Sequence, residues 1–424
     1  MATIAVIGAG YVGLTTAACF AHVGHDVVCA DVDESKVERL CRGELPIHET
    51  GLGAIVREQL ATGRLRFTLG AATAVPGREF VYLCVPTPQG SDGAADLTYL
   101  DAAAAEIAPV LDSGAVVVNK STVPVGSASR VEQVLNRPDV HVVSNPEFLR
   151  EGSAVHDFLH PDRVVIGGDD REAAARVAAL YLGVRAPVLI TDATSAETIK
   201  YASNAFLATK LSFVNAIAAV CEAVDADVQD VLLGMGYDRR IGHEFLSPGP
   251  GWGGSCFPKD TRAMIHIAEE AGYDFALLRG VIAVNEEQFE RVVGKVVAAA
   301  GGTVADRTIG VLGLTFKAGT DDLRESPALE ISRRLLARGA RVRAYDPTVR
   351  TSPLEGIEVA EDAYAACEGA DVVTVLTEWD EFKWIDLDKL ASVVAHKRVV
   401  DARNLMDRGA LLRRGFTVTG IGRR

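Results

Sequence analysis

The sequence predicts an α/β fold of two doubly wound domains joined by a long central helix and a helical middle region. Three observations predict it. From Met1 to about Asp192 short β-branched runs alternate with alanine-rich segments, the pattern of a parallel sheet covered by helices. The run "SAETIKYASNAFLATKLSFVNAIAAVCEAVDAD" then stays helical in pattern over about 30 residues, with no Gly or Pro to break it. After Gly301 and Gly302 the strand-and-helix alternation resumes to the end of the chain.

In order, the first region carries strand candidates "TIAVIG", "DVVCADV", "FVYLCV", "AVVVNKST", "HVVSNPE" and "RVVIGG". Ser195 and Glu197 stand near the start of the long helix as start signals. Two more helical stretches, "KDTRAMIHIAEEAG" and "LLRGVIAVNEEQFERVVGKVVAAAGG", follow a glycine-rich loop. The last region offers four strands, "RTIGVLGLTF", "ARVRAYDP", "DVVTVLTEW" and "RVVDARN". The expected divisions are residues 1–191, 192–302 and 303–424, with the outer two a loose duplication of one architecture.

Composition narrows the classes of function. At 424 residues, 48% of them hydrophobic, the chain has ample core for two or three domains. A net charge of −14 disfavours nucleic acid or an anionic membrane surface as partner. Lys210 and Asn215 interrupt the most apolar region, so no uninterrupted bilayer span is expected, and a soluble cytoplasmic protein is the default. Seven scattered cysteines argue against a disulfide framework or zinc site. Six of them read as core thiols, and Cys256 as the exception. No metal is expected: the nine histidines include no HExxH, and His156 and His160 lack further ligands.

The first motif is Gly8-x-Gly10-x-x-Gly13, directly after a strand and opening a helix, with Asp31 closing the next strand. Such glycines let pyrophosphate approach a helix N-terminus, and such a carboxylate accepts hydrogen bonds from a ribose diol. The pattern is that of a Rossmann-like dinucleotide site. Asp31 would repel a 2′-phosphate, so NAD is preferred over NADP.

The second motif is "GWGGSCFPKD", in which Cys256 follows three glycines in four positions and precedes Lys259 and Asp260. Missing side chains let a ligand come close, and the two charges supply a cation and a base. Beside a nicotinamide site, a thiol suggests oxidation past the aldehyde: a thiohemiacetal is a hydride donor, and its oxidation leaves a thioester that water cleaves. Lys200 and Asn204, at i and i+4, share a helix face and offer an ammonium and an amide to one substrate oxygen. Glu147 and Glu151 follow a strand end in "NPEFLREG", and Thr87 and Thr122 occupy comparable strand ends.

Taken together, GAGYVG, CVPTP, STVPVG, NPEFLREG, the helix carrying Lys200 and Asn204, RIG at 240–242, GGSCFPKD and FKAGTDDLRESP closely resemble the nucleotide-sugar dehydrogenases, the UDP-glucose/GDP-mannose dehydrogenases. The resemblance runs in order from Met1 to "VVDARN" and is strongest to the branch that oxidises UDP-glucose to UDP-glucuronate with two NAD reduced per turnover. It implies an N-terminal NAD domain, a central helix forming a homodimer core and a C-terminal domain holding the nucleotide sugar.

Residue by residue, the resemblance implies that Cys256 is the nucleophile and that Asp260 and Thr122 hold the catalytic water. Glu151 would be the general acid or base, Glu147 would lie with the hydrolytic site, and Lys200 and Asn204 would be oxyanion partners. Cofactor contacts would come from Gly8, Gly10, Tyr11, Val12, Gly13, Asp31, Lys36, Thr87, Thr122, Glu151, Lys259 and Arg324. Substrate contacts would come from Glu147, Phe148, Leu149, Arg150 and Glu151, then Lys200 and Asn204. The loop of Phe245, Leu246, Ser247, Pro248 and Gly249 would add to them, with Gly253 and Lys317, and Arg240 would reach the sugar nucleotide of a neighbouring subunit. His48, Thr50 and Trp252 depart from the usual pattern, and Trp252 is expected to alter the fit of the sugar.

Three other readings stay open on sequence grounds. One is a sister enzyme acting on GDP-mannose or another UDP-sugar, because nothing physical here separates uracil from guanine. Another is a single-step NAD alcohol or hydroxy-acid dehydrogenase with a structural Cys256. The last is a cofactor-bound sensor without chemistry.

Overall fold

The computed structural model describes residues 1–90 and 95–423. The chain divides into two compact units, residues 1–203 with 262–271, and residues 204–261 with 272–424. These packing units differ from the three regions read from composition, because two helices each contribute to both units.

The first unit is built on an eight-stranded sheet of β1 (Thr3–Ile7), β2 (Asp26–Asp31), β3 (Leu65–Leu69), β4 (Phe80–Leu83), β5 (Val116–Asn119), β6 (His141–Ser144), β7 (Val164–Gly167) and β8 (Val188–Thr191). Its order is β3-β2-β1-β4-β5-β6-β7-β8, parallel except where β6 meets β7. Every residue of β4, β5 and β7 is buried, as expected of strands covered on both faces. The order reverses between β1 and β4, which makes a switch point of the kind beside which open α/β sheets bind ligands, beyond the strand carboxyl ends.

The second unit carries a six-stranded, wholly parallel sheet of β9 (Thr308–Leu312), β10 (Arg341–Tyr345), β11 (Ile357–Val359), β12 (Val372–Val375), β13 (Arg398–Asp401) and β14 (Thr417–Gly420). Its order, β11-β10-β9-β12-β13-β14, repeats the first six strands of the other sheet. The repetition reaches individual atoms. Gly8 N donates to Ala30 O and Gly313 N to Tyr345 O, both at 2.8 Å. Ala9 N donates to Asp31 Oδ2 and Leu314 N to Asp346 Oδ2, again both at 2.8 Å. The copies then diverge: Asp346 is fully buried and also accepts from Thr315, Thr348 and the Trp379 indole. With its lone pairs used internally, Asp346 has no place for a ribose.

Four strands escape the sequence reading, β3, β8, β11 and β14, so the last region has six strands rather than four. All four lie at sheet edges. An edge strand is covered less completely, so β3, β11 and β14 lack the continuous apolar run that marks a central one, while β8 has a short apolar run that is exposed.

Helices used below are α1 (Tyr11–His22), α2 (Ser127–Leu135), α3 (Ala193–Val224), α4 (Val228–Gly236), α5 (Phe257–Glu270), α6 (Ala276–Ala299) and α7 (Pro327–Ala337). The long helix α3 corrects one expectation: despite Lys210 and Asn215, it is long and apolar enough, by length and composition, to cross a membrane. Its polar side chains nonetheless find partners inside the protein. Ser212 Oγ donates to Val281 O at 2.8 Å, and Asn215 Oδ1 accepts from Gly249 N at 2.9 Å. A second correction concerns Cys41, which is exposed rather than a core thiol.

Glu197 serves a different helix from the one it was expected to start. Asp192 takes that role, accepting from Ser195 N and Oγ at 2.7 Å each. Glu197, only 3% exposed, accepts from Gly126 N at 2.7 Å, Ala128 N at 3.0 Å and Ser144 Oγ at 2.8 Å. Gly126 has no side chain with which to cap α2, so this distant carboxylate satisfies the helix start. Replacing Glu197 with Ala strands those buried donors, and we expect a loss of about 2 kcal/mol or more in urea-unfolding stability. A change below about 0.5 kcal/mol would contradict the assignment.

Candidate active site

Where β1 ends, Gly8 adopts φ of +100° and Gly13 packs α1 against it. A Cβ on Gly13 would lie 1.8 Å from Gly8 O, so only glycine fits. At Gly10 a Cβ would meet nothing within 4 Å, which leaves the start of α1 open to a ligand backbone. At the end of β2, Asp31 Oδ2 accepts from Ala9 N and from Lys36 Nζ at 3.0 Å. This arrangement fits a dinucleotide: a bare helix start for pyrophosphate and, beside it, a carboxylate for a ribose. Tyr11 and Val12 follow in the first turn of α1. Thr87 Oγ1 donates to Thr122 O at 2.8 Å, tying together the loops beyond β4 and β5.

Further along the same sheet, charges lie buried beyond β5 and β6. Lys200 Nζ donates to Glu147 Oε1 at 2.9 Å, and both residues are 4% exposed. Burial pushes the Glu147 carboxyl up, but the Lys200 charge and hydrogen bond, the Leu149 N–H and the Lys120 charge together hold it below the ordinary carboxylate range. Phe148 stacks under the Arg163 guanidinium at 3.6 Å from its ring centre. Arg150 pairs with Asp157 at 2.6 Å.

Glu151 is half-buried in a turn that Glu49 fixes. Glu49 accepts from Gly152 N at 2.7 Å, from Ala154 N at 2.9 Å and from the Tyr11 hydroxyl. Sequence reading noticed His48 and Thr50 but passed over Glu49 between them. Nothing in the residues beside Glu49 marks it.

In the second unit, Cys256 is partly exposed and immediately precedes α5, its carbonyl accepting from Asp260 N at 2.8 Å. The positive end of the helix dipole favours an anion at that position. Ser255 Oγ lies 3.5 Å from the sulfur. Asp260 is fully buried, and its two oxygens accept from Asn204 Nδ2 at 2.6 Å and Lys259 Nζ at 2.8 Å. The expected cation and base are thus bonded to each other, and Asn204 holds the base.

The glycines of this loop are required by packing on both sides. A Cβ on Gly253 would lie 1.8 Å from Glu325 O, and one on Gly254 would lie 2.8 Å from the Phe316 ring. Trp252 is only 6% exposed; its indole donates to Ser212 Oγ at 2.8 Å, and its backbone exchanges two bonds with the Asn285 amide. The Trp252 side chain is an anchor of the loop.

The loop of Phe245 to Gly249 borders a cavity of about 300 Å³, which Leu246, Ser247 and Pro248 line together with His243, Arg403 and Asn404. Arg403 follows β13 and was missed, although "VVDARN" places an arginine at a strand carboxyl end. Its guanidinium donates to Leu376 O at 2.9 Å and Phe316 O at 3.1 Å. Lys317 neighbours the Phe316 ring at 5.8 Å. Arg324 and Arg240 lie on the surface, paired with Asp322 and Asp238.

Thus the first unit brings Gly8, Gly10, Gly13, Asp31 and Lys36 together, and separately Lys200 with Glu147. The second brings Asn204, Lys259 and Asp260 together beside the turn that carries Cys256.

Residues 2–184 match the NAD binding domain of the UDP-glucose/GDP-mannose dehydrogenase family, residues 194–287 its central domain and residues 310–408 its UDP binding domain. The chain is 47% identical to the UDP-glucose 6-dehydrogenase of Rhizobium meliloti (strain 1021), covering 99% of each chain. It is 46% identical to the UDP-glucose 6-dehydrogenase TuaD of Bacillus subtilis (strain 168), over 100% of this chain and 94% of the relative. A solved UDP-glucose dehydrogenase from Pyrobaculum islandicum superposes with a TM-score of 0.91 at 38% identity, covering 100% of this chain and 98% of the other. With the glycine turn, the strand-end carboxylates and the thiol loop all present, the chain belongs to the UDP-glucose/GDP-mannose dehydrogenase family and is an NAD-dependent oxidoreductase.

Proposed function

We propose that the protein oxidises UDP-glucose at C6 to UDP-glucuronate in two successive two-electron steps. The observation that carries this reading is the partly exposed thiol of Cys256 at the start of α5, beside a carboxylate and an ammonium, in a protein with a dinucleotide turn. An alcohol dehydrogenase that stopped at the aldehyde would need no nucleophile. The 46–47% identical relatives named for UDP-glucose support that sugar over GDP-mannose.

Gly8, Gly10, Tyr11, Val12, Gly13, Asp31, Lys36, Thr87, Lys259 and Arg324 would hold NAD, which accepts one hydride in each oxidation. Glu151 takes the proton of the C6 hydroxyl in the first step. The Cys256 thiolate then forms a bond to the aldehyde carbon, and the carbonyl electron pair moves onto oxygen. Lys200 and Asn204 donate to that oxygen. After the second hydride leaves, the carbon is a thioester. A water held by Asp260 and Thr122, with Glu147 close to the hydrolytic centre, adds to it; the carbon–sulfur bond breaks and the acid departs.

The loop Phe245 to Gly249, with Gly253, Lys317 and Arg403, holds the nucleotide sugar, and Glu147 to Glu151 bound its hexose. Arg240, exposed and on a loop, reaches a neighbouring subunit's substrate. In this scheme residues 1–191 bind NAD, 192–302 carry the thiol and the subunit contact, and 303–424 bind the UDP-sugar.

A homodimer is supported by α3. Phe206, Phe213, Val220 and Val224 are each at least half exposed, and their spacing of seven, seven and four puts them on one face. An apolar groove between α3 and α6, lined by Ala216, Ala219, Val220, Ala223 and Val284, extends that face. A free-thiol nucleophile suits the reducing cytoplasm.

Three outcomes are expected. Two NADH should form per UDP-glucose, and Cys256→Ser should lower acid formation at least 100-fold, about 2.7 kcal/mol of activation free energy; an unimpaired acid yield would refute the thioester route. Offered UDP-glucose and GDP-mannose side by side, the enzyme should reduce NAD only with the former, and reduction confined to GDP-mannose would overturn the sugar assignment. Sedimentation should show a particle of twice the chain mass, and Phe213→Asp should dissociate it; a monomer at working concentration would reject the interface.

A further inference from the structure

Lys120 is a buried ammonium that the proposed chemistry does not use. It stands one residue beyond β5 and two before Thr122, and is 5% exposed. Its Nζ donates to Asn145 Oδ1 at 3.2 Å and to the Tyr181 hydroxyl oxygen at 3.4 Å. Tyr181 itself donates to the same Asn145 oxygen at 2.6 Å, and Asn145 Nδ2 donates to Val165 O at 2.8 Å. Both direct partners of this ammonium are thus neutral. A neutral side chain could make the same bonds without the cost of burying a charge, which is several kcal/mol for an isolated ion.

The charge has a use nearby. Asn145 lies two residues before Glu147, and the Lys120 charge is one of the influences holding the Glu147 carboxyl ionised. Two buried ammonium groups, Lys120 and Lys200, therefore share one buried carboxylate, and only Lys200 is hydrogen-bonded to it. Were Lys200 the sole counter-charge, moving it to a substrate oxygen would leave Glu147 as a lone buried anion, which is strongly unfavourable.

We infer that Lys120 is a positioning residue for the oxidation: it is the standing counter-charge of Glu147, which lets Lys200 leave that carboxylate and donate to the substrate oxygen. The inference rests on the oxyanion role proposed for Lys200. It assigns Lys120 no contact with substrate.

The charged and titratable groups that bear on Lys120 are Glu147 and Lys200, with Cys84 and Tyr181 packed beside it. Burial lowers Lys120 to about 8; the Glu147 and Cys84 charges oppose that fall, and Lys200 adds to it. Burial pushes Cys84 up to about 12 and Tyr181 higher still, so neither changes charge near pH 8.

The test is the rate of the second NAD reduction in a single turnover with UDP-glucose, the oxidation of the thiohemiacetal whose oxygen Lys200 is proposed to hold, a step upstream of thioester hydrolysis. Lys120→Met should slow it at least tenfold while KM for the sugar nucleotide stays within twofold. In the wild type the rate should fall as pH rises through about 8, where Lys120 loses its proton, and Lys120→Met should lack that limb. In a Glu147→Gln background there is no carboxylate to compensate, so adding Lys120→Met should change the rate less than twofold.

An equal tenfold loss in that background, or a Lys120→Met rate within twofold of wild type, overturns the inference. Lys120→Gln keeps a donor for Asn145 without the charge and repeats the test if the methionine variant does not fold; if neither folds, Lys120 is a folding residue and the inference falls. Lys200→Met run in parallel separates the two readings. If it keeps the wild-type rate, the oxyanion role of Lys200 fails and this inference with it. If it is slow while Lys120→Met is not, only the counter-charge role is wrong.

Discussion

The ion pair between Lys200 and Glu147 is the interaction on which the arrangement of the first unit beyond β6, and the chemistry proposed for it, depend. Two charges shut away from water are tolerated only when they are well paired and their remaining lone pairs are used. Lys200 therefore fixes the start of the long helix against the loop beyond β6, and Leu149 N–H takes the other Glu147 oxygen at 2.6 Å. That loop is the run "NPEFLREG", and the pair holds its middle while Tyr181 and Val165 hold Asn145 and Glu49 holds the turn at Glu151. Glu49, Glu197 and Asp31 repeat the solution at neighbouring points, each a carboxylate drawn from a remote part of the chain to satisfy backbone N–H groups at a turn. Function and stability thus draw on the same buried charges.

The second unit solves a different problem, which is to hold a thiol in a loop almost without side chains. Glycines at 253 and 254 let the loop lie directly on Glu325 O and the Phe316 ring, and Trp252 anchors it from beneath through Ser212 and Asn285. The rigidity comes from neighbours, which leaves the side of the loop near Cys256 free of bulk. Asn204, Asp260 and Lys259 form a chain of hydrogen bonds in the next turn.

Legibility in the sequence followed burial. All ten central strands showed as runs of β-branched and apolar residues, while "LRFTL", "IEV" and "TVTG" at the edges carry the mixed pattern of a half-covered surface; "VLIT" of β8 is an apolar run that lies exposed at its edge and follows Pro187 closely. The glycine fingerprint and the thiol loop were legible because close approach leaves only glycine possible. Residues whose role is to compensate a distant charge were not. Nothing in the residues beside Lys120 or Glu49 marks them, and what they bond to lies 25 to more than 100 positions away in the chain. The anchoring role of Trp252 was not legible either, because the Ser212 hydroxyl that its indole bonds lies 40 positions away. The apolar face of α3 masked how long an apolar window it holds, because attention to Lys210 and Asn215 hid the average.

The claim at the centre of this account is that the Cys256 sulfur bonds to C6 of the sugar during turnover. Peptide mass spectrometry of enzyme quenched in acid while UDP-glucose and NAD are being consumed reads that bond directly. The account predicts a fraction of the peptide spanning Gly251 to Asp260 heavier by the sugar nucleotide in its acid oxidation state. That adduct should vanish when substrate is exhausted. If every quenched sample returns only the unmodified peptide while NADH is still being produced, the covalent route is wrong.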